Sequence, residues 1–152
     1  MEESVIMSED FLGKINEQFG LEEVDIRTYS PLTLAFIGDC VYDLIIRSIL
    51  VEKGNRSVNG LHKDKSNLVN AGKQAEIAIK LSEILTEEEA DIYKRGRNAK
   101  TYSHSKNSGI NDYHKATGLE ALIGYLYLLK RYDRILEIVK FGIENTEVSD
   151  EE

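Results

Sequence analysis

The chain of 152 residues has a single cysteine, a single proline and no tryptophan. One thiol cannot close an internal disulfide, so packing has to hold the fold, and Cys40, set in an apolar run, is expected to be a small buried hydrophobe in a reducing compartment. No uncharged apolar run reaches the roughly 18 residues that cross a bilayer. The acidic segment Met1 to Glu9 lacks the basic-then-apolar order of a secretion signal. These absences predict a cytoplasmic protein with no membrane partner. Two-residue alternation is missing too, as are internal repeats and low-complexity tracts, which removes sheet architectures and solenoids. What remains is an all-α fold of about one domain.

The net charge of −8 argues at first against a nucleic-acid partner, but its distribution reverses the argument. Residues 1–25 hold eight acids and one base, and residues 144–152 hold five acids and no base, so the two ends carry −12 between them. The body, residues 26–143, keeps 18 Lys plus Arg against 14 Asp plus Glu, a net of +4. Within it, Lys94 to Lys115 gathers Lys94, Arg95, Arg97, Lys100, Lys106 and Lys115 against the single acid Asp112, with His104 and His114 added. A charge run of this kind is often only a solvated helix face; here it continues into a polar loop between two helices. The expected layout is an acidic N-terminal helix and lead-in over 1–25, a folded body over 26–145, and an acidic disordered tail over 146–152.

Helix signals recur along the body. Ser8 reads as a cap for a first helix whose apolar edge is Phe11, Ile15 and Phe19, and by that edge it is expected to pack on the domain. Thr28 to Pro31 reads as a turn into a helix from Thr33 to about Leu50, and between Leu34 and Ile46 its apolar residues fill nearly every direction of the wheel. Such a helix needs cover on two sides, from the centre of the fold or from another subunit. Glu52 to Gly60 is turn-rich. Leu61, Leu68, Ala71, Ala75 and Ala78 then mark one or two helices reaching Leu85, and Thr86 with Glu89 has the form of a capping box opening a helix to about Asn98. Thr101 to Asn111 is polar and aperiodic, and is expected to be a mobile loop. Two last helices are expected over Asp112–Lys130 and Asp133–Asn145, the first burying Tyr113, Leu119, Leu122, Ile123, Leu126 and Leu129.

Against this apolar background three acids stand out. Between Leu34 and Ile46 the only charges are Asp39 and Asp43, and between Ala116 and Leu129 the only one is Glu120. A carboxylate left ionised and unpaired in a core costs several kcal/mol, so each needs a partner. Asp43 has one in Arg47, a helical turn on, but Asp39 has no base at either helical spacing. Glu120 lies between Gly118 and Gly124, each of which weakens a helix by roughly 1 kcal/mol relative to Ala, a cost that makes sense where another backbone comes close. If Asp39 and Glu120 face one another, two oxygen donors form a hard anionic site suited to Mg²⁺, which keeps several waters and needs only one or two carboxylates. Tyr125 and Tyr127 read as packing residues. His104 and His114 have the chemistry of acid–base groups, but surface histidines in polar loops are commonplace and the assignment is not needed.

The segment FIGD at Phe36 to Asp39, followed by Cys40, Val41 and Tyr42, resembles the signature helix of the ribonuclease III family. LHKDKSNLVN at Leu61 to Asn70, RGRNAK at Arg95 to Lys100 and GLEALIGYLYL at Gly118 to Leu128 are similar to its later blocks in the same order. FIGD alone is a weak signal; four blocks in order are specific. With no sign of a double-stranded-RNA-binding domain after residue 145, the chain most resembles the Mini-ribonuclease III group.

That resemblance implies an all-helical homodimer that cuts double-stranded RNA with Mg²⁺, leaves 5′-phosphate and 3′-hydroxyl ends, and matures the ends of the large-subunit (23S) ribosomal RNA precursor, with a ribosomal protein as a conceivable presenter of the substrate. It places the catalytic, metal-binding carboxylates at Asp39 and Glu120. Two further acids of the longer relatives are replaced, by Ala35 and Thr117, which implies a thinner ligand set and keeps open a second reading, a catalytically weak or inactive RNA-binding ribosome-assembly factor. Duplex RNA is read mostly through phosphates and 2′-hydroxyls. The side chains expected to do so are Arg95, Arg97, Asn98, Lys100, Tyr102, Ser103, His104 and Lys106.

Overall fold

The computed structural model describes residues 10–99 and 109–146. Seven α-helices and no strand occur among them: α1 (Phe11–Gln18), α2 (Pro31–Glu52), α3 (Val58–Val69), α4 (Ala71–Leu81), α5 (Glu87–Arg97), α6 (Ile110–Leu128) and α7 (Tyr132–Thr146), with a single 3-10 turn at Ile26–Thr28. The all-α expectation holds.

Side-chain caps explain most of the boundaries. Ser30 accepts from the Thr33 amide and Pro31 occupies the first turn, where its missing N–H is no loss, so α2 starts cleanly. Ser57 caps α3 by accepting from Gly60, which draws the end of the turn-rich segment into that helix. Asn70 is extended (ψ 162°) and accepts from Lys73, and so separates α3 from α4 as two helices. The Thr86–Glu89 capping box forms in both directions. Glu89 has a second role. It is buried, and Arg134 of α7 grips it with Nε and Nη2, each at 2.8 Å, while the same Nη2 donates to the Ile84 carbonyl. A carboxylate buried this deeply is tolerable because a guanidinium fork satisfies both of its oxygens.

Helix α6 is the axis of the domain, with α2, α4 and α5 packed around it and α7 against α4. Leu119, Leu122, Ile123 and Leu126 of α6 are buried with Ile46, Ile77, Leu81 and Ile138 in the main core. At roughly 1.5–3 kcal/mol for each large apolar side chain removed from water, this cluster far outweighs the helix propensity lost at the glycines of α6.

The N-terminal region departs from expectation. Asp10, not Ser8, caps α1, accepting from Gly13 at 2.8 Å; Ser8 lies outside the described residues. Phe11 and Phe19 are 72% and 74% exposed and of the apolar edge expected to pack on the domain only Ile15 is part-buried, so most of that edge faces outward, and the start of α1 is tethered by polar contacts. The Tyr132 hydroxyl donates to Asp10 at 2.9 Å and Lys130 lies 3.4 Å from it. Cys40 is also exposed in the protomer, contrary to its apolar context in sequence. It shares with Leu32, Phe36 and Leu44 a line along α2 that no part of the described chain covers. The wheel of α2 is therefore covered on one side only. Most of the polar loop expected over Thr101–Asn111, and all of the acidic tail beyond Thr146, lie outside the described residues.

Candidate active site

Asp39 sits on α2 next to Gly38, and Glu120 sits at the middle of α6. The two helices touch backbone to backbone there. A Cβ built on Gly38 would come 1.7 Å from the Glu120 carbonyl oxygen, and one built on Gly124 would come 1.9 Å from the Leu34 carbonyl oxygen. Only hydrogen at both positions permits this approach. The glycines cost helix propensity and return position, because they bring the side chain after Gly38 against that of Glu120. Gly118 has a different neighbour, the Tyr93 ring of α5, 2.7 Å from its would-be Cβ.

The two acids share an open cleft of about 790 Å³ whose walls include Ala35, Asp43, Lys65 and Thr117. Asp39 is exposed to it and makes no ion pair among the described residues. Burial pushes the Glu120 carboxyl up to about 8, the negative charge of Asp39 adds to the rise, and the Gln74 amide opposes it. Asp43, a turn further along α2, is in a different condition. Arg47 lies 2.7 Å away and Lys65 3.5 Å, so the expected ion pair forms and a second cation joins it.

The walls confirm that the acid set is thin. Ala35 and Thr117 are buried at the edge of the cleft, and the Thr117 hydroxyl donates to the Tyr113 carbonyl on its own helix at 3.0 Å. Among the described residues no three His, Cys, Asp or Glu side chains converge as a metal-holding group. A larger groove, about 1050 Å³, lies between α1, residues 21–26 and the turn after α6. It contains neither Asp39 nor Glu120.

Comparison with known proteins agrees with this geometry. Residues 32–131 match the family model described as Ribonuclease III domain. A Mini-ribonuclease 3 of Thermoanaerobacter sp. (strain X514) is 40% identical over 138 residues, covering 91% of this chain and 97% of that protein. The Mini-ribonuclease 3 of Clostridium tetani is 42% identical over 144 residues, 94% of this chain and 92% of that one. The chain belongs to the Mini-ribonuclease 3 group of the ribonuclease III family. A crystal structure of a protein from Fusobacterium nucleatum, 39% identical, superposes with a TM-score of 0.71 over 80% of this chain and 97% of that one. As a member of the Mini-ribonuclease 3 group the chain is an endoribonuclease, and enzymes of this family leave 5′-phosphate and 3′-hydroxyl ends.

Within this Mini-ribonuclease 3 fold the expected RNA-contacting residues divide into two sets. Arg95 is exposed in the last turn of α5, and Asn98 is its exposed C-cap. Arg97 is half-buried, its Nε donating to Asn98 at 3.2 Å and its guanidinium lying 5.8 Å from the Tyr93 ring centre. Lys100, Tyr102, Ser103, His104 and Lys106 lie outside the described residues. Helix α5 has Glu87, Glu88 and Glu89 in its first turn and Lys94, Arg95 and Arg97 in its last, an order that also suits the helix dipole. Two residues of the site escaped the sequence reading. Lys65 carried no local signal, since its partner Asp43 is on another helix. Gln74 showed only as a polar residue among Ala71, Ala75 and Ala78.

Proposed function

We propose that the chain acts as a homodimer that cleaves double-stranded RNA with a Mg²⁺ ion held by Asp39 and Glu120. The observation that carries the reading is the pairing itself: an exposed carboxylate with no cation partner among the described residues, against a half-buried one pushed up to about 8. That donor set fits a hard divalent ion, since all its groups are oxygens and the cleft is open to the water Mg²⁺ retains. When bound, such an ion supplies an activated water and balances the charge of the phosphate undergoing displacement. The chain's own part is to fix the two carboxylates through the Gly38–Glu120 contact, and to keep Asp43 engaged by Arg47 and Lys65 so that it does not compete.

The dimer reading is supported by the uncovered line of Leu32, Phe36, Cys40 and Leu44 on α2, with Phe36 80% exposed. A second copy related by a two-fold axis would cover it and would set a second site for the other RNA strand. The basic end of α5 and the segment after it, with Arg95, Arg97, Asn98, Lys100, Tyr102, Ser103, His104 and Lys106, are assigned to the phosphates and 2′-hydroxyls of the duplex. Binding through them falls steeply with salt. The substrate assigned is the precursor of the large-subunit (23S) ribosomal RNA.

The test is Mg²⁺-dependent cleavage of a long RNA duplex by wild type, Asp39→Asn and Glu120→Gln at equal dimer content. The reading expects both substitutions to abolish cutting; undiminished activity in either refutes the assignment.

A further inference from the structure

Helices α2 and α3 run past the acid pair, and the trough between them changes sign along its length. At one end it opens into the cleft that holds Asp39, Asp43 and Glu120 and takes in Lys65 of α3. Further along α2 it becomes a smaller concavity of about 140 Å³, whose polar lining is Arg47, His62 and Lys65 among apolar side chains. No acid lines that part. Lys65 belongs to both.

Asp43 stands at the junction and is outnumbered. Arg47 donates to it through Nε at 2.7 Å, and the Lys65 ammonium lies 3.5 Å away. One carboxylate thus gathers two cations, a formal surplus of one positive charge. The Nη groups of Arg47 make no hydrogen bond among the described residues, and its side chain stays half exposed. The acid next along α3, Asp64, is taken by Arg56 and does not cancel the surplus. Ion pairs this exposed contribute little stability, so holding Asp43 in place does not by itself account for the second cation. A guanidinium with its outer N–H groups free, beside an ammonium, has the donors that phosphate oxygens take. Position along α2 narrows the choice of phosphate. Asp43 is four residues, about 6 Å of helix axis, from Asp39, a step comparable with that between successive phosphates of a strand. Neither Arg95 nor Arg97 lines this trough.

We propose that Lys65 and Arg47, held together by Asp43, form a binding site for one backbone phosphate of the RNA, the neighbour of the phosphate that is cut. The inference rests on the assignment of Asp39 and Glu120 to the reacting centre. Asp43 is then a positioning residue. It fixes both cations before the strand arrives, which lowers the cost of ordering them on binding.

The experiment measures binding of a short RNA duplex, its cut position mapped beforehand, to the full chain in chelator over a range of salt, beside thermal unfolding. Lys65→Met keeps the length and removes the charge. It should weaken binding about tenfold, as loss of a charged hydrogen bond does, and lower the salt slope by about one. Lys65→Arg should restore both. A duplex carrying a single neutral methylphosphonate identifies the phosphate that is held. Placed beside the cut, it should weaken wild type about tenfold and Lys65→Met hardly at all, because the contact is already gone; at a remote phosphate the two proteins should lose equally. If Lys65 only braces Asp43, Lys65→Met lowers the melting temperature with affinity and salt slope unmoved. That result overturns the inference, as does a methylphosphonate penalty beside the cut that persists undiminished in Lys65→Met. Failure of the acid-pair assignment is separately visible, because Asp39→Asn would then still cut in Mg²⁺ while the binding results, taken in chelator, are unaffected.

Discussion

Gly38 of α2 and Glu120 of α6 are in backbone contact, with 1.7 Å between the Glu120 carbonyl oxygen and the place a Cβ on Gly38 would take. The catalytic geometry proposed here is set by that contact. Gly38→Ala must push the two helices apart and should cost about 3 kcal/mol, the upper part of the range for overpacking. Because the displaced backbone carries Asp39 and Glu120, activity should fall further than the folded fraction does. Comparing specific cleavage with urea unfolding of the same preparation checks this, and a fully active Gly38→Ala would show that the contact does not position the acids.

Glu120 has a pH signature in the metal-free protein. Its carboxyl moves from the ordinary 4.5 up to about 8 on folding, so the unfolded chain gives up its proton first. Stability contributed by the protonated folded form is present below pH 4.5, is lost as the pH rises toward 8 and then levels off. Glu120→Gln should remove that slope, leaving a variant more stable than wild type above pH 8 and equal to it near pH 4.5. Melting temperatures in chelator across this range test the sign.

The Glu89–Arg134 pair has the opposite one. The Arg134 fork holds the Glu89 carboxyl below its ordinary 4.5, so its stabilisation is present above that value and is lost as the pH falls through the lowered one. Arg134→Met strands a buried carboxylate and should cost about 3 kcal/mol near neutral pH. That corresponds to roughly 6–12 °C in melting temperature for a domain of this size. The deficit should shrink in acid, where Glu89 is protonated in both states.

Phe36 is exposed in the protomer, so its replacement does not disturb the folded chain. Phe36→Glu should give a monomer with an unchanged helical circular-dichroism signal, and sedimentation should show half the wild-type mass. Loss of duplex cleavage is expected with it.

Periodicity and capping made most of this fold legible. The α5 start at Thr86 and Glu89, the buried stripe of α6 and the Asp43–Arg47 pair all depend on residues within one or two turns of each other, so sequence neighbours reveal them. The outward face of α1 did not follow, because the sequence fixes where an apolar edge lies and leaves open what meets it. Cys40 departs from its expected burial for the same reason: an apolar neighbourhood along the chain says nothing about which side of α2 the protomer covers. Asp39 and Glu120 stand out as acids without local partners, and Gly124 carries the expectation of a close backbone approach; that the approaching helix is α2, with Gly38 on the other side of the contact, shows only with both helices in place. Gln74 and Lys65 were missed since each acts across helices distant in sequence.

The most direct test of the account is the anomalous diffraction of crystals soaked in Mn²⁺. One strong peak is expected in the cleft, with an oxygen of Asp39 and an oxygen of Glu120 both within about 2.2 Å of it, near the Mg²⁺ coordination distance. A map with the ion elsewhere, or with no metal between the two carboxyls at saturating Mn²⁺, would contradict the assignment of Asp39 and Glu120 as its ligands.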